Sequence, residues 1–158
     1  MGLLEERFES CLEDVEFGLR CARAGCGGRY VPEARAWHQG GATLGAWSAR
    51  AVRLIARNQV LLAARYCDRL WPALAGQALW SLVALRHGSG WACLRGKLEG
   101  LRRWREFRSQ RLPSGDLLEA GERQILAIQR ATGSGLYWRL YFALTHFSLG
   151  KPPRLLVS

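Results

Sequence analysis

Several features by which a protein class is ordinarily recognised are missing from this sequence. The five cysteines include no C-x-x-C pair, and the histidines at positions 38, 87 and 146 do not stand at zinc-ligand spacing around them. This pattern argues against a structural zinc site or a disulfide framework and for a reducing compartment. The first ten residues, MGLLEERFES, carry acids where a signal peptide has a basic and then an apolar region. We therefore expect a cytoplasmic protein.

Long apolar runs are missing too. The longest run without a charge, residues 70–85, contains Gly76, Gln77 and Ser81. A membrane-spanning helix needs ~20 consecutive apolar residues, which is more than this run supplies. The run is therefore predicted to be a helix that does not cross a bilayer.

Acidic residues are few and unevenly placed. The chain has 23 lysines and arginines against 13 acids, yet residues 1–33 have a net charge of −3 and residues 34–158 one of +13. All the basic residues except Lys97 and Lys151 are arginines, which bind phosphate bidentately. The charge predicts attraction to polyanions, namely phosphorylated ligands, nucleic acid or an anionic membrane surface, and does not choose among them.

Helical periodicity accounts for most of the chain. Predicted helices cover residues 13–24, 48–67, 70–85, 91–111 and 116–131. The segment RYVPEARAW, which contains Pro32, predicts one or two brief strands, and HQGGATLG after it is loop by composition.

Residues 91–111 form the most basic of these predicted helices. Hydrophobic residues recur at spacings of three and four with basic residues between them: Trp91, Leu94, Leu98, Leu101, Trp104 and Phe107. A basic amphipathic helix with Trp at its boundary can lie in a membrane interface. It can equally pack its apolar side on its own domain and leave a solvated basic face, and the sequence leaves both alternatives open.

An acidic pair, Glu13-Asp14, opens the first predicted helix. A carboxylate at such a junction can act as a general base, although capping is the commoner reason for acids at a helix start and is sufficient for Glu16. Three features follow: a turn at Gly25, the strand-like YVPEA, and a His-Gly-Gly segment. The last comprises His38, Gly40 and Gly41.

In this order and spacing, residues 2 to about 65 resemble the C-terminal part of the catalytic domain of family 2 glycosyltransferases, especially the rhamnosyltransferase-like branch. The matching positions are Glu6, Arg7 and Phe8; Glu13-Asp14-Val15-Glu16; Arg20; Ala24-Gly25; Tyr30-Val31-Pro32; Ala34; His38, Gly40 and Gly41; and Arg57-Asn58.

The resemblance implies an inverting sugar transfer from a nucleotide sugar to an acceptor hydroxyl in polysaccharide or glycolipid synthesis. Asp14 would take the proton of the hydroxyl, and Glu13 would help to orient the acceptor. His38 would help to hold a divalent metal, Mg or Mn, and Gly40 and Gly41 would let the loop approach a ligand. Arg20 is expected to be an internal ion-pair partner.

The family's nucleotide-binding half, with its D-x-D metal motif, is not found in this chain, whose aspartates stand at positions 14, 68 and 116. We therefore expect the chain alone to be inactive and to bind nucleotide sugars weakly. The resemblance implies that residues 1–45 are an α/β remnant of a GT-A-type domain. Residues 46–158 would form a mainly helical tail able to associate with the inner face of a membrane.

Two further functions stay open. The chain could be a non-enzymatic membrane-surface or interaction module in which the basic amphipathic helices bind and the acidic pair only caps. Nucleic-acid binding has the charge in its favour but lacks a recognition motif, and we rank it last.

Overall fold

The computed structural model describes residues 2–29, 31–37, 44–45, 47–133 and 135–146. Within these ranges all of the regular secondary structure is helical. The helices are α1 (Glu13–Arg23), α2 (Ala49–Tyr66), α3 (Leu70–Arg86), α4 (Gly90–Arg102), α5 (Trp104–Ser109), α6 (Gly115–Thr132) and α7 (Leu136–His146). A single 3-10 turn, Glu6–Phe8, precedes them. The predicted helices are therefore confirmed, apart from one division described below.

The predicted α/β remnant in residues 1–45 is wrong: the described residues contain no strand, although the mostly helical character is confirmed. Residues 31–37 form a turn and irregular chain, and all of them are exposed. A strand is stable only when it pairs with others, and the proline in this short run cannot donate to a ladder. Tyr30, at the start of the predicted strand, lies outside the described residues.

Helix α2 forms the centre of the molecule. It begins as predicted at Ser48, whose Oγ accepts a hydrogen bond from the backbone N–H of Ala51 at 3.1 Å. The buried residues of this helix are Ala51, Val52, Leu54, Ala56, Arg57, Asn58, Val60, Leu61, Ala63, Ala64 and Tyr66. They occupy several sides of the helix because α4 and α5 pack against it along its length.

Helix α4 packs on α2 through its glycines. A Cβ atom added at Gly96 would lie 2.1 Å from the carbonyl oxygen of Arg53, and one at Gly100 would lie 2.8 Å from that of Arg57. The two backbones are therefore so close that only glycine fits. Because the small residues take this contact, the large apolar residues of α4 lie on its other side.

The predicted helix over residues 91–111 divides into α4 and α5 at Arg103. The change of direction brings Phe107 into a cluster with Phe8, Leu61 and Ala64. The rings of Phe8 and Phe107 meet edge to face with their centroids 5.9 Å apart. This cluster ties the N-terminal segment, which leads into α1 with Glu13 and Asp14, to α2.

Helices α3, α6 and α7 complete the structure. Helix α3 packs against α4 and α7, and the indole Nε1 of Trp71 donates to the carbonyl oxygen of Leu144 at 3.1 Å. Asp68, between α2 and α3, accepts a hydrogen bond from the N–H of Gly115 at 3.0 Å and so caps α6. No helix in the described part of the chain is both long and apolar enough to cross a membrane.

Candidate functional site

The two acids of the predicted site lie in the first turn of α1. Asp14 is exposed, and Glu13 is half-buried beside it. Asp14 Oδ1 accepts a hydrogen bond from the N–H of Val15 at 2.8 Å, which orients the carboxylate. His38, Gly40 and Gly41 lie outside the described residues, so their predicted roles stay predictions.

The segment before α1 has an unusual backbone. Glu9, Cys11 and Leu12 have φ angles of 60°, 69° and 66°, in the left-handed region that residues with a Cβ seldom adopt. Each such residue costs about 1–2 kcal/mol unless the surrounding structure holds it. The fold therefore keeps this segment in its conformation by other contacts.

The buried side chain of Asn58 supplies the first of these contacts. Its Nδ2 donates to the carbonyl oxygens of Phe8 at 2.9 Å, Ser10 at 3.0 Å and Cys11 at 2.7 Å. An amide group has two hydrogens, so at least one of them is shared between carbonyls. One side chain on α2 thus fixes the backbone on both sides of Glu9.

Arg57 supplies the second contact. Its Nη2 donates to the carbonyl oxygen of Phe8 at 2.8 Å, and its Nη1 pairs with the carboxylate of Glu9. The Nε of Arg57 donates to Asn58 Oδ1 at 3.0 Å, which turns the amide nitrogen toward the carbonyls. The hydrogen bond from Arg57 also lowers the pKa of Glu9, so this pair is charged at neutral pH.

Glu16 anchors α1 itself. Its carboxylate is completely buried and accepts from Arg20 Nε at 2.9 Å, Arg65 Nη1 at 3.1 Å and the Tyr66 hydroxyl at 2.7 Å. Capping is therefore a wrong explanation for Glu16, whereas the expected ion-pair role of Arg20 is confirmed. Burial raises the pKa of Tyr66 above its usual range, and the bond to Glu16 adds to this effect.

Glu13 and Asp14 act electrostatically on the neighbouring Cys11. Burial raises the pKa of the Cys11 thiol, and the carboxylates of Glu13 and Asp14 act in the same direction. Glu13 Oε2 is buried and has no hydrogen-bond partner within the described ranges. A buried acceptor without a donor is energetically costly.

The arrangement can position a base. Asp14 is exposed to an incoming molecule, and the chain on either side of it is held by the buried Glu16 and by the contacts of Arg57 and Asn58. A proton acceptor with a fixed position and access to solvent is the minimum that general base catalysis requires.

The described residues do not fit a divalent metal. They contain no group of three or more His, Cys, Asp or Glu side chains that could hold an ion. The predicted metal ligand His38 lies outside them.

A cavity of about 560 Å³ lies away from Asp14, where α6 covers the junction of α2 and α3. Cys67, Pro72, Leu118, Ile125 and Tyr141 are among its lining residues. Burial raises the pKa of the Cys67 thiol to about 11, so this thiol is protonated at neutral pH. Asp14 and Glu13 do not line this cavity.

Sequence reasoning missed most of the contacts that support the site. It matched Arg57-Asn58 to the family pattern without assigning the pair a role, and it did not single out Arg65 or Tyr66. The available signal was the presence of a neutral polar residue, Asn58, in the middle of a helix rich in Ala, Val and Leu. Polar residues buried in this way need partners, but sequence periodicity cannot say which partners they have.

Comparisons of the chain with protein-family models, with curated proteins and with solved structures give no match. The resemblance to family 2 glycosyltransferases is accordingly carried by the residues quoted above.

Proposed function

We propose that the segment around Asp14 carries the general base of an inverting glycosyltransferase, and that Asp14 is this base. The observation that carries this proposal is the exposed Asp14 directly after a strained, left-handed segment that Arg57 and Asn58 hold from α2. Strained backbone that the surrounding fold maintains is frequent at active sites, where a side chain must be aimed accurately.

The reaction is a single displacement. The hydroxyl oxygen of the acceptor attacks the anomeric carbon of a nucleotide sugar while its proton passes to Asp14. The new bond from this oxygen to the anomeric carbon forms as the bond from that carbon to the diphosphate breaks, and the nucleoside diphosphate leaves with the bonding electrons. Glu13 assists by accepting a hydrogen bond from a second hydroxyl of the acceptor.

The spatial arrangement of the matched residues supports the proposal. Phe8 and Asn58 are 50 positions apart in the sequence, and both belong to the resemblance. Asn58 also donates to the carbonyl oxygen of Cys11, three positions before Asp14 in the chain, so these two matched segments are in contact. We expect the donor to be bound by a polypeptide segment that carries a D-x-D sequence, and the chain alone to transfer no sugar.

The test uses membranes from the strain that encodes this chain, after deletion of its gene. Purified chain is added back with a panel of labelled UDP- and dTDP-sugars, and label in the lipid and polysaccharide fractions is counted. The wild-type chain should restore incorporation, and Asp14→Asn should lower the restored rate by about 100-fold or more.

Asp116→Asn is the matched control, because Asp116 is also exposed in the first turn of a helix. It should restore incorporation as the wild type does. If Asp14→Asn restores incorporation equally well, Asp14 is not the base and the proposal fails.

A second candidate function is a membrane-surface module without catalysis. The exposure of Trp91, Leu94, Leu98 and Leu101 on α4 favours it, since about half or more of each of these apolar side chains faces solvent. The same deletion strain separates the two functions: a module without catalysis would leave sugar incorporation unchanged when its gene is removed.

A further inference from the structure

Helices α3 and α4 form an antiparallel pair joined by a short turn. Along the line where they meet, Lys97 Nζ donates to Gln77 Oε1 at 3.0 Å, and the thiol of Cys93 lies 3.6 Å from Ser81 Oγ. Partial burial between the helices lowers the pKa of Lys97. We call this line of contact the seam.

Large apolar residues are exposed on both helices of the pair. Their exposed fractions run from 46% to 77%: Leu74, Leu82, Leu85, Trp91, Leu94, Leu98 and Leu101. These residues recur every three or four positions on α4, and on α3 the exposed Ala78 lies between Leu74 and Leu82, so each helix presents one apolar stripe. We call the two stripes together the leucine face.

Both stripes lie on the same side of the pair. On α4, Gly96 and Gly100 contact α2, and the leucines of the stripe lie beyond the seam residues Cys93 and Lys97. On α3, Ala84 contacts the α2 cluster, and the exposed leucines again lie beyond the seam. The leucine face is therefore continuous and points away from α2.

Positive charge borders the leucine face. Arg86, Arg95 and Arg102 are exposed at its edges. Between Arg69 and Arg86 the chain carries no charge, and Glu99 is the single acid of α4. Glu99 is already shared between Arg53 and Arg95, both at 3.2 Å. The border consequently has a net positive charge.

We propose that the leucine face binds an anionic phospholipid surface. Leucines and Trp91 enter the boundary between headgroups and acyl chains, while Arg86, Arg95 and Arg102 contact lipid phosphates. A second copy of the chain is a poor occupant, because face-to-face packing would bring two positive borders together. This inference does not depend on the function proposed for Asp14.

Vesicle co-sedimentation of the full chain tests this binding. The vesicles are phosphatidylcholine alone, or phosphatidylcholine with a quarter phosphatidylglycerol. The wild type should bind the anionic vesicles, bind neutral ones at least about tenfold more weakly, and dissociate as salt rises. The double variant Leu94→Gln, Leu98→Gln should bind anionic vesicles at least about tenfold more weakly, because it removes apolar surface from the boundary.

The control is the double variant Ile128→Gln, Leu136→Gln, which removes two apolar side chains from α6 and α7 that are more exposed than Leu94 and Leu98. It should bind as the wild type does, and circular dichroism should show that both double variants are folded. Arg86→Gln with Arg102→Gln should weaken anionic binding by about fivefold for each charge.

Three results would overturn the proposal. The first is equal binding of the wild type to neutral and anionic vesicles. The second is equal binding to anionic vesicles by the variant Leu94→Gln, Leu98→Gln and by the control variant Ile128→Gln, Leu136→Gln. The third is a dimer, seen by light scattering, that Leu94→Gln with Leu98→Gln dissociates, since a second copy would then cover the leucine face.

Discussion

At the residue scale, the site depends on one amide. Asn58 is the only asparagine of the chain, and it is completely buried with its nitrogen facing three backbone carbonyls. Asn58 stabilises the backbone conformation of the segment before α1 by hydrogen bonds, and it does not belong to a hydrophobic cluster. Substitutions there should therefore act through hydrogen bonding more than through volume.

Asn58→Asp should destabilise the protein by about 3 kcal/mol or more, because a carboxylate oxygen would replace the donor and face carbonyl oxygens in a buried place. Urea unfolding measures this change. Gln124→Glu makes the same chemical change on the exposed side of α6 and should shift the free energy of unfolding by less than about 0.5 kcal/mol. Similar effects of the two substitutions would contradict the role of Asn58.

Glu5 gives the N-terminal segment a pH dependence. Hydrogen bonds from Arg7, and then from Arg65, lower the pKa of this carboxyl to about 2 in the folded chain. Because the folded pKa lies below the unfolded value, Glu5 stabilises the fold at pH values above ~4.5. That contribution, about 1 kcal/mol after solvent screening, is lost as the pH falls from ~4.5 towards 2.

Urea unfolding of the wild type and of Glu5→Gln between pH 7 and 2.5 checks this expectation. The two free energies of unfolding should differ near neutral pH and converge in acid. A difference that stays constant over this range would show that Glu5 does not carry the pH dependence.

The sequence predicted the place of Asp14 because the signals are local. Acids at a helix start and a glycine after its end define α1 from neighbouring residues alone. The contacts that fix the segment before α1 join residues about 50 positions apart, and periodicity contains no information on such pairs. Glu16 was misinterpreted for this reason, since its partners on α2 are distant in sequence.

At the scale of elements, α4 shows where pattern reasoning succeeds and where it fails. The three- and four-residue spacing of its hydrophobic residues correctly predicted a helix. The usual inference that the large apolar side packs inward is wrong for α4, because Gly96 and Gly100 allow a closer approach to α2 through the opposite side. The prediction of strands was wrong because a strand needs a partner strand, and the described residues contain no strand.

Gly96→Ala should destabilise the protein by about 2–4 kcal/mol, because the new methyl group would overlap the backbone of α2. Gly121→Ala is the matched control within α6, where an added Cβ meets no atom within 4 Å. It should stabilise the protein by about 0.5–1 kcal/mol through helix propensity. Thermal unfolding measures the change in stability caused by each substitution. Equal changes would show that α4 does not pack on α2 through Gly96.

At the scale of the whole molecule, stability should be concentrated in α2 and the elements on it. Most of the residues of α2 are buried, whereas α6 has no buried residue. Amides of α2 should therefore exchange with solvent deuterium only on global unfolding, and those of α6 at least about 100-fold faster. Equal protection of the two helices would contradict this distribution.

The charge of the molecule is divided between the N-terminal part and the helices α3 and α4. Asp14 belongs to the acidic N-terminal part of the sequence, and positive charge borders the leucine face on α3 and α4. The sequence predicted this separation of charge, since counting the acidic and basic residues in each part of the chain is sufficient to show it. It did not predict that the large apolar residues of the leucine face would stay about half or more exposed.

The rate of sugar incorporation by Asp14→Asn, compared with the wild type in gene-deleted membranes, tests the central proposal most directly. Equal amounts of folded protein should give a rate at least about 100-fold lower for Asp14→Asn, and Asp116→Asn should match the wild type. A rate for Asp14→Asn within about threefold of the wild type would contradict the assignment of Asp14 as the base.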